Sequence, residues 1–555
     1  MHRTGSCLVC RLIMSSRYKY SAWERSNINS VYICIMKRLS NLDYLKLNKW
    51  QAFWYNLGLF FCAIPLFFKK LGLGILKFFK NCFFALRDEF VDIGSTFKRG
   101  NWAVKLSFFI FGFGNLFYGQ ILRGILFLLF EIVFVGYMLL PNGGIYWLTK
   151  GNWFKVGATV GTVQTQHNVY DEVLDSYTTI WGDDSVKVML YGLLTFIFIF
   201  AFIYTWRLQV KQCRICMDIT AKGKKIKSGR EDMRSLLDDQ FHKTLLALPL
   251  TGILAFTVLP IIYMVLVAFT SYDAAHDGSS NLFSWVGLKH FNELFNFGHG
   301  GLGLTFGEIL SWTLMWAFFA TFTNYFLGMF VAIMINKKGI KIKKFWRTVL
   351  VMTIAIPQFV SLLYVSKLFT TSGLIGRILD RIPFIYNYRT SNFYVSLWDS
   401  PTLARILLIV INIWIGIPHI MLIATGILMN IPQDLYESAK IDGASSVQQF
   451  SKITLPYMLF VTGPYLLTSF VGNLNNFNVI YLLSGGNPIK GTAGGASVGH
   501  TDLLITWLFK MTVGSPESKY YIASIIGILV FLVVAILSLI IYNVIPSTRN
   551  EEDYK

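Results

Sequence analysis

Charge is scarce in this chain of 555 residues: Asp, Glu, Lys and Arg together make up 14%, against about a quarter in soluble globular domains. With 54% apolar residues and 48 phenylalanines, it cannot clothe a water-facing surface of its size. A soluble enzyme and a disordered scaffold are both excluded. A phosphate-cradling G-x-x-x-x-G-K-[ST] string is also missing; the nearest approach, Gly486 to Thr492, has no lysine after its second glycine. That excludes ATP hydrolysis by the P-loop mechanism. Seven cysteines are few, and the two C-x-x-C pairs, Cys7/Cys10 and Cys213/Cys216, would have to meet across roughly two hundred residues to hold zinc. Incidental thiols are expected, with no metal and no cofactor. No cleavable signal peptide is visible. Residues 1–35, rich in Cys and Ser and followed by Met36, are expected to be dispensable.

What the chain has is long apolar runs. Crossing about 30 Å of hydrocarbon takes about 20 apolar residues in a helix, and eight stretches qualify: 123–140, 188–206, 243–270, 309–335, 347–370, 403–428, 457–483 and 520–543. The fold class is therefore all-α, a polytopic membrane protein with about eight transmembrane helices. Two weaker stretches, 52–68 and 104–118, carry basic flanks or glycine breaks and are expected to lie in or dip into the interface. The net charge of +20 sets topology rather than pointing to nucleic acid. Ten Lys and Arg residues fall in 207–243 and six in 336–347, whereas 271–308 between them holds only Lys289. The first two segments are thus cytoplasmic and the third external, which puts 141–187, 371–402 and 484–519 outside and both termini inside.

The loop after the 403–428 span reads LYESAKIDGASSVQQFSKITLP over 435–456. A helical run turns at Gly443 and resumes with Phe450, Ile453 and Leu455 as one apolar stripe, and Pro456 opens the next span, where its missing N–H is harmless. The stripe is expected to be unpartnered within the chain.

The pattern Glu437-x-Ala439, Asp442-Gly443-Ala444, Phe450, Ile453, Leu455-Pro456 resembles the "EAA" loop of the permease subunits of binding-protein-dependent ABC importers. In that family the loop is the coupling helix that docks on a separate ATPase; the middle Ala is Ser438 here. The run Ser469 to Pro488, with Thr501 to Trp507 beyond it, resembles the maltose/maltodextrin (MalF-type) permeases in particular. The resemblance covers about 243–545. It implies a six-helix permease core there, additional membrane segments at 100–242 with a basic loop at 207–242, an N-terminal extension at 1–99 and a cytoplasmic tail at 546–555. It also implies a second homologous permease, an ATP-binding subunit dimer, an extracytoplasmic sugar-binding protein, membrane lipid and a sugar as partners, with no nucleic acid. The large external domain of the best known maltose permease has no room in 271–308.

Two polar stripes interrupt the apolar spans. Asn412, Gly416 and His419 are spaced by four and three, and Ser469, Asn473 and Asn476 by four and three, so each set lies on one helix face. An amide in hydrocarbon costs several kcal/mol unless it is paired. The pairing partner is either a neighbouring helix or an uncharged sugar; the resemblance implies the sugar and places Tyr where His419 stands. An ion-coupled sugar transporter would need membrane-embedded carboxylates, and the core spans offer only Glu308, at an edge. The orientation is tested with single cysteines in a Cys-free background. Cysteine at Ser280 or Asn487 labels in intact cells with a membrane-impermeant thiol reagent, and cysteine at Ser228 does not.

Overall fold

A computed structural model describes residues 49–544, apart from 163–166, 172–174, 181, 227–230, 232–233, 235–237, 239–240, 280, 299–300, 338, 341, 393, 395 and 514–515. Residues 1–35 and the Cys7/Cys10 pair lie outside the described residues. The chain divides into two compact units, residues 1–105 and 106–555. The first is dominated by one long helix, α1 (Lys49–Arg99), which includes the 52–68 stretch.

In the second unit, residues 106–118 form no helix long enough to cross a bilayer. Their short helix Phe113–Phe117 is entered through Gly112 in the left-handed conformation, and the irregular backbone is satisfied by side chains of the neighbouring spans α2 (Ile121–Leu139) and α3 (Ser185–Ala221). Phe111 N–H donates to Glu131 at 2.8 Å and Gly112 N–H to Gln209 at 3.2 Å. Cys213 and Cys216 are buried in the same place against Asn115 and Gln120 and form no disulfide. Glu131 and Gln209 thus explain polar groups that would otherwise be costly inside a membrane.

Among the described residues, seven helices are long and apolar enough to cross a bilayer. They are α2, α3, α4 (Phe241–Val267), α5 (Leu302–Asn336), α8 (Pro401–Leu428), α10 (Ser446–Leu474) and α13 (Tyr520–Val544). The count reaches eight only if a bent pair is one span.

That pair corrects the expectation of a single helix over 347–370. Helices α6 (Lys343–Ala355) and α7 (Gln358–Leu368) meet at 95°. The cause is Pro357, which forces Ile356 into extended backbone (φ −81°, ψ 129°) because its ring excludes the helical region for the residue before it. The 457–483 stretch is broken too. Its helix α10 stops at Leu474, and a short helix, α11 (Phe477–Leu483), begins afresh with the Asn476 side chain accepting from Val479 N–H.

The loops 141–187 and 271–308 are knitted together, which spacing alone does not reveal. Trp285, fully buried, donates from its indole to the Gly151 carbonyl at 2.9 Å, and backbone bonds tie Gly157 to Trp285, Val160 to Phe283 and Ser185 to Gly278. Lys150 and Asp183 form a half-hidden ion pair at 2.5 Å beneath them. A two-stranded hairpin of β1 (His167–Asp171) and β2 (Ser176–Ile180) lies within the first of these loops; a second hairpin, of β3 (Ile489–Ala493) and β4 (Ala496–Gly499), is followed by helix α12 (Leu504–Val513). Buried Asp502 holds this piece, accepting from Gly499 N–H and pairing with Lys510, both at 2.7 Å.

Candidate functional site

The 435–456 loop folds as a helix, a turn and a second helix. Helix α9 (Gln433–Ile441) ends at Asp442, and Gly443 turns the chain with φ +77°, a conformation that costs other residues a Cβ clash. Ser445 then caps the next helix in a reciprocal box with Gln448. That helix is not a separate unit: it widens into a π-type turn over Phe450–Thr454 and runs through Leu455 and Pro456 into the α10 span. Tyr436 and Thr454 tie the two arms by a 2.8 Å hydroxyl bond.

Most side chains of the motif stand as the pattern requires, with Glu437, Asp442 and Gly443 exposed and Ala439 and Ala444 half-buried. The expected unpartnered stripe is corrected. Phe450 and Leu455 pack against the chain's own core beside Met421, Ala424 and Met458, and Ile453 is half-buried. The apolar groups left open are Ile441 (87% exposed), Val447 (75%) and Leu435. Sequence periodicity missed them because Ile441 and Val447 flank the turn, where helical spacing no longer tells which side is out.

Within the spans, the two polar stripes do not face each other across an empty slot. Helix α5 packs against both stripes. Gly416 lies against Asn324, where an added Cβ would fall 2.4 Å from its Nδ2, and Gly328 lies equally close to Ile420. Asn473 Nδ2 donates to Thr321 at 3.0 Å, and Tyr325 and Thr462 share a 2.8 Å hydroxyl bond. Asn476 is correspondingly a helix cap rather than a member of a continuous face, although its Nδ2 still reaches Asn473 at 3.2 Å. Ser469 is half-buried, and His419 is exposed with its ring 6.2 Å from that of Tyr465. Thr321 and Asn324 were the missing members. Their signal was available as the only Asn and one of several Thr in the apolar run 309–335.

One pair of atoms in this cluster is unsatisfied. Asn412 (6% exposed) has no partner for Nδ2, and Asn324 (8% exposed) has none for Oδ1. A donor and an acceptor are therefore buried and open within one helical turn of Gly416, an arrangement native interiors rarely leave without a purpose.

Residues 324–550 match the family described as the binding-protein-dependent transport system inner membrane component. The maltodextrin transport system permease protein MdxF of Bacillus subtilis is 33% identical over 376 residues, 67% of this chain and 84% of MdxF. The chain belongs to this permease family. The galactooligosaccharides transport system permease protein GanP of the same organism is 33% identical over 60% of this chain and 76% of GanP. The maltose/maltodextrin transport system permease protein MalF of Escherichia coli K12 is 33% identical over 46% of this chain and 48% of MalF. As a permease of this family, the chain is an integral membrane protein, and the matched region holds both the helix–turn–helix loop and the Asn412/Asn324 cluster.

The open amides separate a binding role from a packing role. Asn412→Leu removes an unpaired buried donor, so the melting temperature of the purified protein holds or rises, because an unsatisfied polar group costs about 1–3 kcal/mol. Gly416→Leu drives a side chain into Asn324 and lowers it, as overpacking costs about 1–3 kcal/mol. Thermal unfolding of the two variants against the parent checks both signs.

Proposed function

We propose that this chain is the membrane-spanning permease subunit of an ATP-driven, binding-protein-dependent importer of maltose and maltodextrins. The observation that carries the reading is the capped helix–turn–helix with Ile441 and Val447 exposed at its tip, in a chain that matches MdxF over most of its length. Two exposed branched apolar side chains beside a fixed turn suit insertion into a cleft of another subunit. The residues Glu437, Ala439, Asp442, Gly443, Ala444, Phe450, Ile453, Leu455 and Pro456 build that coupling element, and hydrolysis of ATP belongs to the separate dimer it docks on. A second permease completes the pore, and a sugar-binding protein delivers substrate outside. Both termini face the cytoplasm. The core is 243–545, preceded by additional membrane segments at 100–242 and an interfacial basic extension at 1–99.

Asn412, Gly416 and His419 with Ser469, Asn473 and Asn476 are the residues proposed to meet the sugar, joined now by Asn324. Neutral amides suit a chain of hydroxyls, which offers donors and acceptors without charge. The similarity to GanP favours a second reading in which the cargo is a galacto-oligosaccharide.

Coexpression with the ATPase and partner permease tests the coupling role. Ile441→Asp and Val447→Asp abolish sugar uptake and copurification of the ATPase, while the stability of the permease itself stays within about 0.5 kcal/mol of the parent, as for surface changes. Normal uptake by both variants would remove the loop from coupling. Uptake of labelled maltotriose set against a galactose-based trisaccharide separates the two cargo readings.

A further inference from the structure

At the external end of the spans, α5 and α8 part around a cavity of about 580 Å³ that includes Glu308, Ser311, Arg405, Lys490 and His500 in its walls. Glu308 and Lys490 are ion-paired, tying the first turns of α5 to the β3 strand. The Arg405 guanidinium lies over the buried Trp312 ring, 4.6 Å from its centroid, and spends only Nε on the His500 carbonyl at 2.9 Å. Four further N–H donors of the five that a guanidinium carries are available to the cavity. Burial, with Arg405 and Lys490 nearby, holds His500 below its usual pKa, so its imidazole is neutral.

Arg405 is placed tellingly on α8. Residues 405, 412, 416 and 419 are spaced by seven, four and three and so form one stripe. Arg405 therefore stands two turns, about 10 Å, toward the outside from Asn412. The cavity is the outer end of the polar stripe already described.

We propose that this cavity is an outer subsite that holds one end of a malto-oligosaccharide while the other end reaches the Asn412 stripe. The proposal rests on the maltodextrin reading above. Its lining favours an uncharged glycan. Donors from Arg405, Lys490 and His500 face an acceptor carboxylate, Glu308, which would repel an anion, and exposed Leu304 and Met315 offer an apolar wall. A sugar ring has the same two-sided character, with hydroxyls at its edge and C–H groups on its face. A ligand too short to reach from the cavity to Asn412 gains nothing from it, so the subsite favours longer chains.

Gly307 lines the cavity and gives a clean plug, since a Cβ there meets nothing within 4 Å. The assembled importer in proteoliposomes, at saturating loaded binding protein, is assayed for uptake of labelled maltose and maltoheptaose. Gly307→Leu and Arg405→Lys each lower the ratio of maltoheptaose to maltose uptake by about fivefold, the worth of one hydrogen bond. An unchanged ratio in both variants overturns the subsite alone. Equal loss for both sugars, with weakened half-saturation by the binding protein, overturns it in favour of a protein-docking contact to an acidic side chain. A parent importer that carries neither sugar overturns the maltodextrin reading and this subsite together.

Discussion

The close crossing of α5 over α8 is the contact on which the rest of the membrane unit depends. It is possible only because Gly416 and Gly328 have no side chain where Asn324 and Ile420 sit. Lipid tails are as apolar as leucine, so nothing but close packing and internal hydrogen bonds holds such helices together. With α5 fixed against α8, its Thr321 and Tyr325 reach α10 through Asn473 and Thr462. Three helices are thereby locked around one line of polar side chains. Buried Trp316 packs in the same region with Leu408 and Ile411.

The same crossing leaves part of the polar line without partners. Asn473 donates to Thr321 and Asn476 to Asn473. Asn412 and Asn324 instead keep one donor and one acceptor open in a place that excludes lipid and bulk water. At one end of the line stands Arg405, near the start of α8. Further along the chain, the α10 helix that carries Thr462, Ser469 and Asn473 is the direct continuation of the capped loop with Ile441 and Val447 at its tip. Between that loop and Asn473 the helix is interrupted by the widened turn at Phe450–Thr454 and carries Pro464 in its interior. Such π-type turns recur at functional sites.

Much of this was legible in the sequence, and the parts that were not have identifiable causes. Span number and position follow from hydrophobic length, a signal strong enough to survive without homologues. The break at Ile356–Pro357 was readable in principle, because a proline restrains the residue before it, yet a hydrophobic run masks it. Asn476 was read as part of a helix face since spacing alone cannot say whether a helix continues; the Asn476 side chain ends that ambiguity by capping Val479. The stripes of α8 and α10 were found by periodicity, but the packing of α5 against both is a three-dimensional fact. Likewise, Phe450 and Leu455 looked unpartnered because their partners, Met421 and Ala424, are remote in sequence. Glu131 and Gln209 show the same limit, since they serve a backbone segment that pattern alone could only describe as broken.

The central claim is that this chain moves sugar by coupling to an ATPase through the 435–456 loop. The most direct measurement is sugar accumulation in proteoliposomes containing the chain, its partner permease and the ATPase, with ATP enclosed and loaded binding protein outside. The account predicts uptake that requires both ATP and the binding protein and is indifferent to an imposed proton or sodium gradient. Uptake driven by such a gradient with the ATPase omitted would contradict it.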